Sequence, residues 1–169
     1  MTDAGGMLGL TWLAVKDGDE RAFALFKRHY SYHEYTDGRR RLGSGYRNKF
    51  LIVGPGGKLV LLAPNCDALF VWRKFISRDG QTGINCAVFR NESNRLSSML
   101  ILDAKKLAWA KWPTETRLYT YVNPRAVKSS NPGFCFKRAG WRICGKTSKG
   151  LLILEKYRDD VTAVTGEQP

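Results

Sequence analysis

The sequence predicts an α+β or α/β domain in which a central mixed, mostly antiparallel sheet is flanked by helices, and three stretches predict it. Residues 50–89 alternate short apolar, β-branched runs with turn dipeptides, the pattern of consecutive strands. Residues 19–30 and 97–112 place apolar side chains at helical spacing. Residues 117–157 read as a strand, a loop, a short helix ended by glycine and an aromatic, and two further strands. A chain of 169 residues that is 43% hydrophobic can bury a sizeable core as a single domain, and no linker, repeat or low-complexity tract divides it.

In chain order, Met7 to Val15 is a short apolar strand or helix start. Residues 19–30 form a helix with Asp19 and Glu20 at the positive end of its dipole and Phe23, Phe26 and Tyr30 as its buried stripe. A glycine-punctuated loop then runs to Tyr46. Phe50 to Val53, Leu59 to Leu62, Ala68 to Phe75 and Ile84 to Phe89 are strands, separated by Gly54-Pro55-Gly56-Gly57, Pro64-Asn65 and Asp79-Gly80. Leu100, Ile101, Ala104, Leu107, Ala108 and Trp112 make one face of the long helix, with Lys105, Lys106 and Lys111 turned away, and Pro113 stops it. Leu118 to Val122 is a strand on which Tyr119 and Tyr121 share one face. Ser129 or Ser130 caps a short helix, Pro132 fits its first turn and Gly140 ends it before Trp141. Ile143 to Gly145 and Leu151 to Tyr157 are the last strands, and residues 158–169 are expected to fray.

The net charge of +13, from 28 basic and 15 acidic side chains, favours a polyanionic partner, with nucleic acid ahead of cofactor phosphates. No apolar run reaches the ~20 residues of a membrane span, and the first residues lack the basic start of a signal peptide, so a cytoplasmic protein is expected. Cys66, Cys86, Cys135 and Cys144 form no C-x-x-C pair and are expected to be reduced and buried as small hydrophobes. With only His29 and His33 beside them, they give no zinc spacing.

Two regions carry candidate chemistry. The segment from His29 to Tyr46 mixes imidazoles, phenols and guanidiniums, which suits phosphate contacts and base stacking; Arg39, Arg40, Arg41, Arg47 and Lys49 are its candidate DNA-binding residues. The loop Arg90 to Ser98, between a strand and a helix N-terminus, has the placement of a phosphate site, with Arg90, Asn91, Arg95, Ser97 and Ser98 as candidates. It contains no glycine, which makes close backbone approach to a pyrophosphate harder.

The order strand, loop, short helix, Gly-aromatic, strand over Arg117 to Trp141 resembles the C-terminal half of the GNAT (N-acetyltransferase-like) fold. That resemblance implies an acetyl-CoA or other acyl-CoA donor bound at the 90–98 loop and beside Phe136. The tyrosine that serves as general acid in many of these enzymes is replaced here by Phe136, which has no proton to give. The wording HYS (His29 to Ser31), FRNE (Phe89 to Glu92), LYTYVNPR, NPG-x-CF-x-x-AGW and GLLILE also resembles the Mom-type DNA modification proteins of phages. That family adds a methylcarbamoyl group to the 6-amino group of adenine in double-stranded DNA and so blocks restriction. The resemblance implies a catalytic set of His29, Tyr30 and Ser31, with Tyr121 and Asn131 at the strand and helix that close the site, and it brings iron near His29 as a competing idea. A GNAT-like DNA-binding module without cofactor, and an acetyltransferase acting on a small amine or protein, stay open beside it.

Overall fold

The computed structural model describes residues 10–34 and 48–159. Their elements are β1 (Leu13–Val15), α1 (Glu20–Lys27), β2 (Gly57–Leu62), β3 (Ala68–Lys74), β4 (Ile84–Asn91), α2 (Ser97–Lys111), β5 (Arg117–Val122), α3 (Phe134–Arg138), β6 (Arg142–Lys146) and β7 (Leu152–Tyr157). The seven strands form one mixed sheet in the order β1-β2-β3-β4-β5-β7-β6. Every neighbouring pair is antiparallel except β4 and β5.

The alternation of side chains along the central strands builds two cores. Leu61, Phe70, Trp72, Ile84 and Cys86 face α2 and α3, where Leu100, Ile101, Ala104, Ala108 and Phe136 meet them. Val60, Leu62, Leu69, Val71 and Val88 face the other way and pack on Ala22, Leu25 and Phe26 of α1. Two indoles anchor α2 to the sheet: Trp12 Nε1 donates to the Leu100 carbonyl and Trp72 Nε1 to that of Ala104, both at 3.0 Å. Leu107, expected on this buried face, is 39% exposed, because the face turned to the sheet runs through Ala104 and Ala108.

Four further expectations are corrected. Phe50 to Val53 is no strand: Asp17 takes the place of a ladder partner, its carboxylate accepting from the Ile52 amide at 2.7 Å and the Val53 amide at 3.3 Å. The short helix α3 is capped three to four residues later than Ser130 or Ser129 would place it, by Gly133 in the left-handed region at φ 79°. Its end is as expected. The Trp141 amide bonds the Phe136 carbonyl and the Gly140 amide that of Lys137, a Schellman closure with Gly140 at φ 91°. Arg158 does not fray: its guanidinium donates to the carbonyls of Glu115 and Trp112 and lies 4.2 Å from the Trp109 ring centre. Asp159 pairs with Lys156 at 3.3 Å, and residues 160–169 lie outside the described residues. Among the cysteines, Cys86 is buried while Cys144 is exposed, contrary to the expectation of burial for all four.

The parallel pair is short, and that shapes the site. β4 and β5 are paired only from Ile84↔Leu118 to Cys86↔Thr120. On its other edge β4 slips register against β3, Val71 facing Val88 and Trp72 facing Cys86, so Ala87 is an unpaired extra residue. A bulge bends its strand and raises the local twist. Immediately beyond it β4 and β5 are no longer partnered, and the sheet opens between them.

Candidate active site

The opening holds a cleft of about 520 Å³, within the ~300–1,000 Å³ of small-molecule sites. Cys86, Phe89, Thr120 and Val122 line it from the two strands, Cys135 and Phe136 from α3, and His29, Tyr30, Ser31 and His33 from the segment after α1. The walls are therefore contributed by both faces of the sheet.

Why His29 and Tyr30 reach the cleft follows from how α1 ends. The helix stops at Lys27, with the Arg28 amide on the Leu25 carbonyl and the His29 amide on that of Phe26. The Tyr32 amide then bonds the His29 carbonyl, and this turn carries Tyr32 back over Phe23 and Phe26, at ring distances of 5.8 and 5.3 Å. Tyr32, not Tyr30, completes the buried stripe. Tyr30 is 42% exposed, its ring stacked on His29 with centres 4.3 Å apart.

A charged clamp fixes this turn to β4. Glu92 accepts two hydrogen bonds from Arg28, at 2.7 and 2.8 Å, and a third from Arg90. Arg90 also donates to the Arg28 carbonyl at 2.6 Å. The guanidiniums, Arg28 ahead of Arg90, hold the Glu92 carboxyl down to about 2. Charge-assisted, bidentate bonds of this kind are the strong ones. The motifs HYS and FRNE are thus parts of one assembly.

His29 is half-buried, and burial first, then the Arg90 charge, depress its pKa to about 4. It is therefore a neutral imidazole at physiological pH. Its tautomer is set as well. The Ser31 amide donates to Nδ1 at 3.2 Å and Ser31 Oγ lies 2.7 Å from the same atom, so Nδ1 is an acceptor and Nε2 carries the proton. Tyr30 accepts from the Asn123 amide at 3.4 Å, and burial pushes its pKa up. Both residues are proton-bearing donors rather than bases.

The other expected site residues divide sharply. Tyr121 lines the cleft, but its hydroxyl donates to Asp79 at 2.7 Å; burial and that bond both raise its pKa. It offers a ring face more readily than a proton. Phe136 lines the cleft from the core, edge-on to Trp141 at 4.9 Å and Phe89 at 6.0 Å. Asn131 is exposed and accepts from Lys137 Nζ at 2.5 Å, outside the cleft lining. Arg90, Asn91, Arg95, Ser97 and Ser98 also lie outside it. Arg90 is spent on the clamp. Asn91 ties its own loop, donating to the Arg95 carbonyl at 2.8 Å and Ser97 Oγ at 3.0 Å. Arg95 stands 3.8 Å from Asp67. At the head of α2, Leu96 is an N-cap without a capping side chain. The loop thus retains helix amides for an anion, with Ser97, Ser98 and Arg95 beside them, while Arg90 and Asn91 are committed elsewhere. Lys49 is exposed, its ammonium 5.2 Å from the Phe50 ring centre. Arg39, Arg40, Arg41 and Arg47 lie outside the described residues.

Sequence reasoning passed over Asn85 and Thr120. Asn85 is buried, lines the cleft and donates at 3.5 Å to the Tyr119 carbonyl; Thr120 Oγ1 donates to the Cys86 carbonyl at 3.1 Å. The signal for Asn85 was an amide in the otherwise apolar run from Ile84 to Phe89. Among the described residues no three His, Cys, Asp or Glu side chains gather as a metal site. No helix among the described residues is long and apolar enough to cross a membrane. Comparison with protein-family models, curated proteins and solved structures returns no match.

Proposed function

We propose that the protein is a GNAT-like, Mom-type transferase that modifies the 6-amino group of adenine in double-stranded DNA with a methylcarbamoyl group. The observation that carries this reading is the meeting of the HYS turn and the β4–β5 opening at one cleft lined by His29 and Tyr30. The strand order, with its single parallel pair parting in mid-sheet, supports the GNAT-like part. The sequence motifs support the Mom-type part, and the net charge of +13 supports a DNA substrate.

In this reading the extruded adenine enters a cleft with aromatic walls, His29, Tyr30 and Tyr121 giving it ring faces. The amine is a weak nucleophile because its lone pair is delocalised into the ring. Help therefore has to come from polarising the acyl carbonyl, and the Nε2 proton of neutral His29 and the Tyr30 hydroxyl are donors suited to the charge that grows on its oxygen. As the C–N bond forms, the C–S bond of the thioester breaks, and the departing thiolate takes up the proton the amine loses. Ser31 keeps His29 in the donor tautomer. An acyl-CoA donor would rest its phosphates on the α2 amides beside Ser97 and Ser98. Total DNA from cells expressing the wild type and His29→Ala, digested and examined by nucleoside mass spectrometry, tests the assignment. A modified deoxyadenosine in the first sample only is expected; equal yields would remove His29 from the mechanism.

The commitment of Arg90 and Asn91 to protein partners favours a second reading, a DNA-binding module that has kept this scaffold without a cofactor. Absence of any adduct together with intact DNA affinity would select it.

A further inference from the structure

The charge of the chain is distributed unevenly. Between Arg117 and Arg158 there are ten Lys and Arg residues and a single acidic one, Glu155. That one carboxylate is 5% exposed and consumed internally, accepting from Arg117 at 2.7 Å and Arg142 at 2.9 Å. Within this stretch no acidic side chain is left at the surface, and the first one after it, Asp159, pairs with Lys156. Lys137 is held by Asn131, Lys156 by Asp159 and Arg158 by backbone carbonyls. Five remain, Arg125, Lys128, Arg138, Lys146 and Lys149, all exposed and without an acidic partner among the described residues.

Four of them neighbour lining residues of the cleft in sequence, and Lys146 stands on the edge strand β6. Arg125 and Lys128 bracket Ala126 and Val127, which line it. Arg138 and Lys149 each stand two residues from a lining position, Phe136 and Leu151. Phe134, 54% exposed at the head of α3, sets an aromatic face among them.

We infer that this C-terminal half is a nucleic-acid surface, on which the phosphate backbone of a DNA duplex lies against Arg125, Lys128, Arg138, Lys146 and Lys149 while the target base enters the cleft. Nucleic acid is the polyanion chosen because four of these positive residues neighbour a cleft with aromatic walls, which suits a base as well as its phosphates; this choice rests on the reading above.

The test uses the full-length protein and a labelled duplex of about 20 base pairs, with anisotropy titrations from low to moderate salt. Each lost phosphate contact flattens the log–log salt slope by about 0.9. Arg125→Gln/Lys128→Gln and Lys146→Gln/Lys149→Gln are each expected to flatten it by about 1.8, with unchanged melting temperatures because all four side chains are exposed. Lys105→Gln/Lys111→Gln, on α2 away from the cleft, is expected to keep the wild-type slope. Wild-type slopes in both rim variants, an equal loss in the α2 control, or no duplex binding by the wild type would overturn the inference. Rim-dependent binding without any modified deoxyadenosine in the cell would instead overturn the transferase reading and leave this surface standing.

Discussion

Glu92 grips Arg28 through two parallel hydrogen bonds of 2.7 and 2.8 Å, and the next residue in the chain is His29. The end of a strand thereby decides where the imidazole stands in the cleft. Glu92→Gln keeps the shape and removes the charge, and is expected to cost about 1 kcal/mol in stability because the pair is partly exposed. A small displacement of a reacting group can cost ~100-fold in rate, so activity is expected to fall much further than stability. Thermal melts beside adduct yields make the comparison; a loss of activity no larger than the loss of folded protein would reduce Glu92 to a surface ion pair.

For His29 the pH dependence is specific. Its folded pKa of about 4 lies below the ordinary 6.5, so the unfolded chain binds the extra proton between those values. Stability is expected to decline as pH falls from 6.5 towards 4, and His29→Gln should flatten that decline. Glutamine also presents an N–H donor, so it should retain more activity than alanine. If alanine and glutamine were equally inactive, donation from Nε2 would not be the function of the ring.

Glu155 gives the opposite kind of test. Burial raises its pKa, but Arg117 and Arg142 lower it further, leaving the net below the ordinary 4.5. The stability it contributes is full above 4.5 and lost as pH falls through the folded value. Glu155→Gln leaves Arg117 without its counter-charge and is expected to cost about 3 kcal/mol at neutral pH, with a smaller difference from wild type in acid. Urea melts at two pH values measure both; an equal difference at each would mean that the carboxylate acts by shape alone.

Acyl-CoA binding is accessible to a melting assay. A ligand at ~100 times its dissociation constant adds about 2.7 kcal/mol, and acetyl-CoA is expected to raise the melting temperature accordingly. Arg95→Ala/Ser98→Ala should diminish the shift. No shift at millimolar acetyl-CoA would favour the module without a cofactor.

The strands and α2 were legible because their signals are local: apolar alternation, helical spacing, and Gly140 ahead of Trp141. The HYS turn was legible as a motif, though not the route by which it reaches the cleft. Tyr30 and Tyr32 carry the same side chain two positions apart, and only the turn after Lys27 decides which one packs on Phe23. Asp17 was unreadable for a different reason. Its carboxylate replaces strand partners for Ile52 and Val53, 35 and 36 residues away, and no spacing rule reaches that far. Arg90 read as a free phosphate ligand because sequence counts charges without showing which are already paired.

The surplus residue Ala87 acts as a phase shift along β4. Before it, Ile84 and Cys86 face the layer of α2 and α3; after it, Val88 faces α1 and Phe89 takes the α2 side. Even positions and odd positions exchange sides at one point. Removing that residue would leave Val88, Arg90 and Glu92 on the α1 side, since Cys86 and Val88 would then alternate directly opposite Trp72 and Val71. What the extra residue supplies is therefore curvature rather than sidedness: without it β4 would run straight past the point where it now parts from β5.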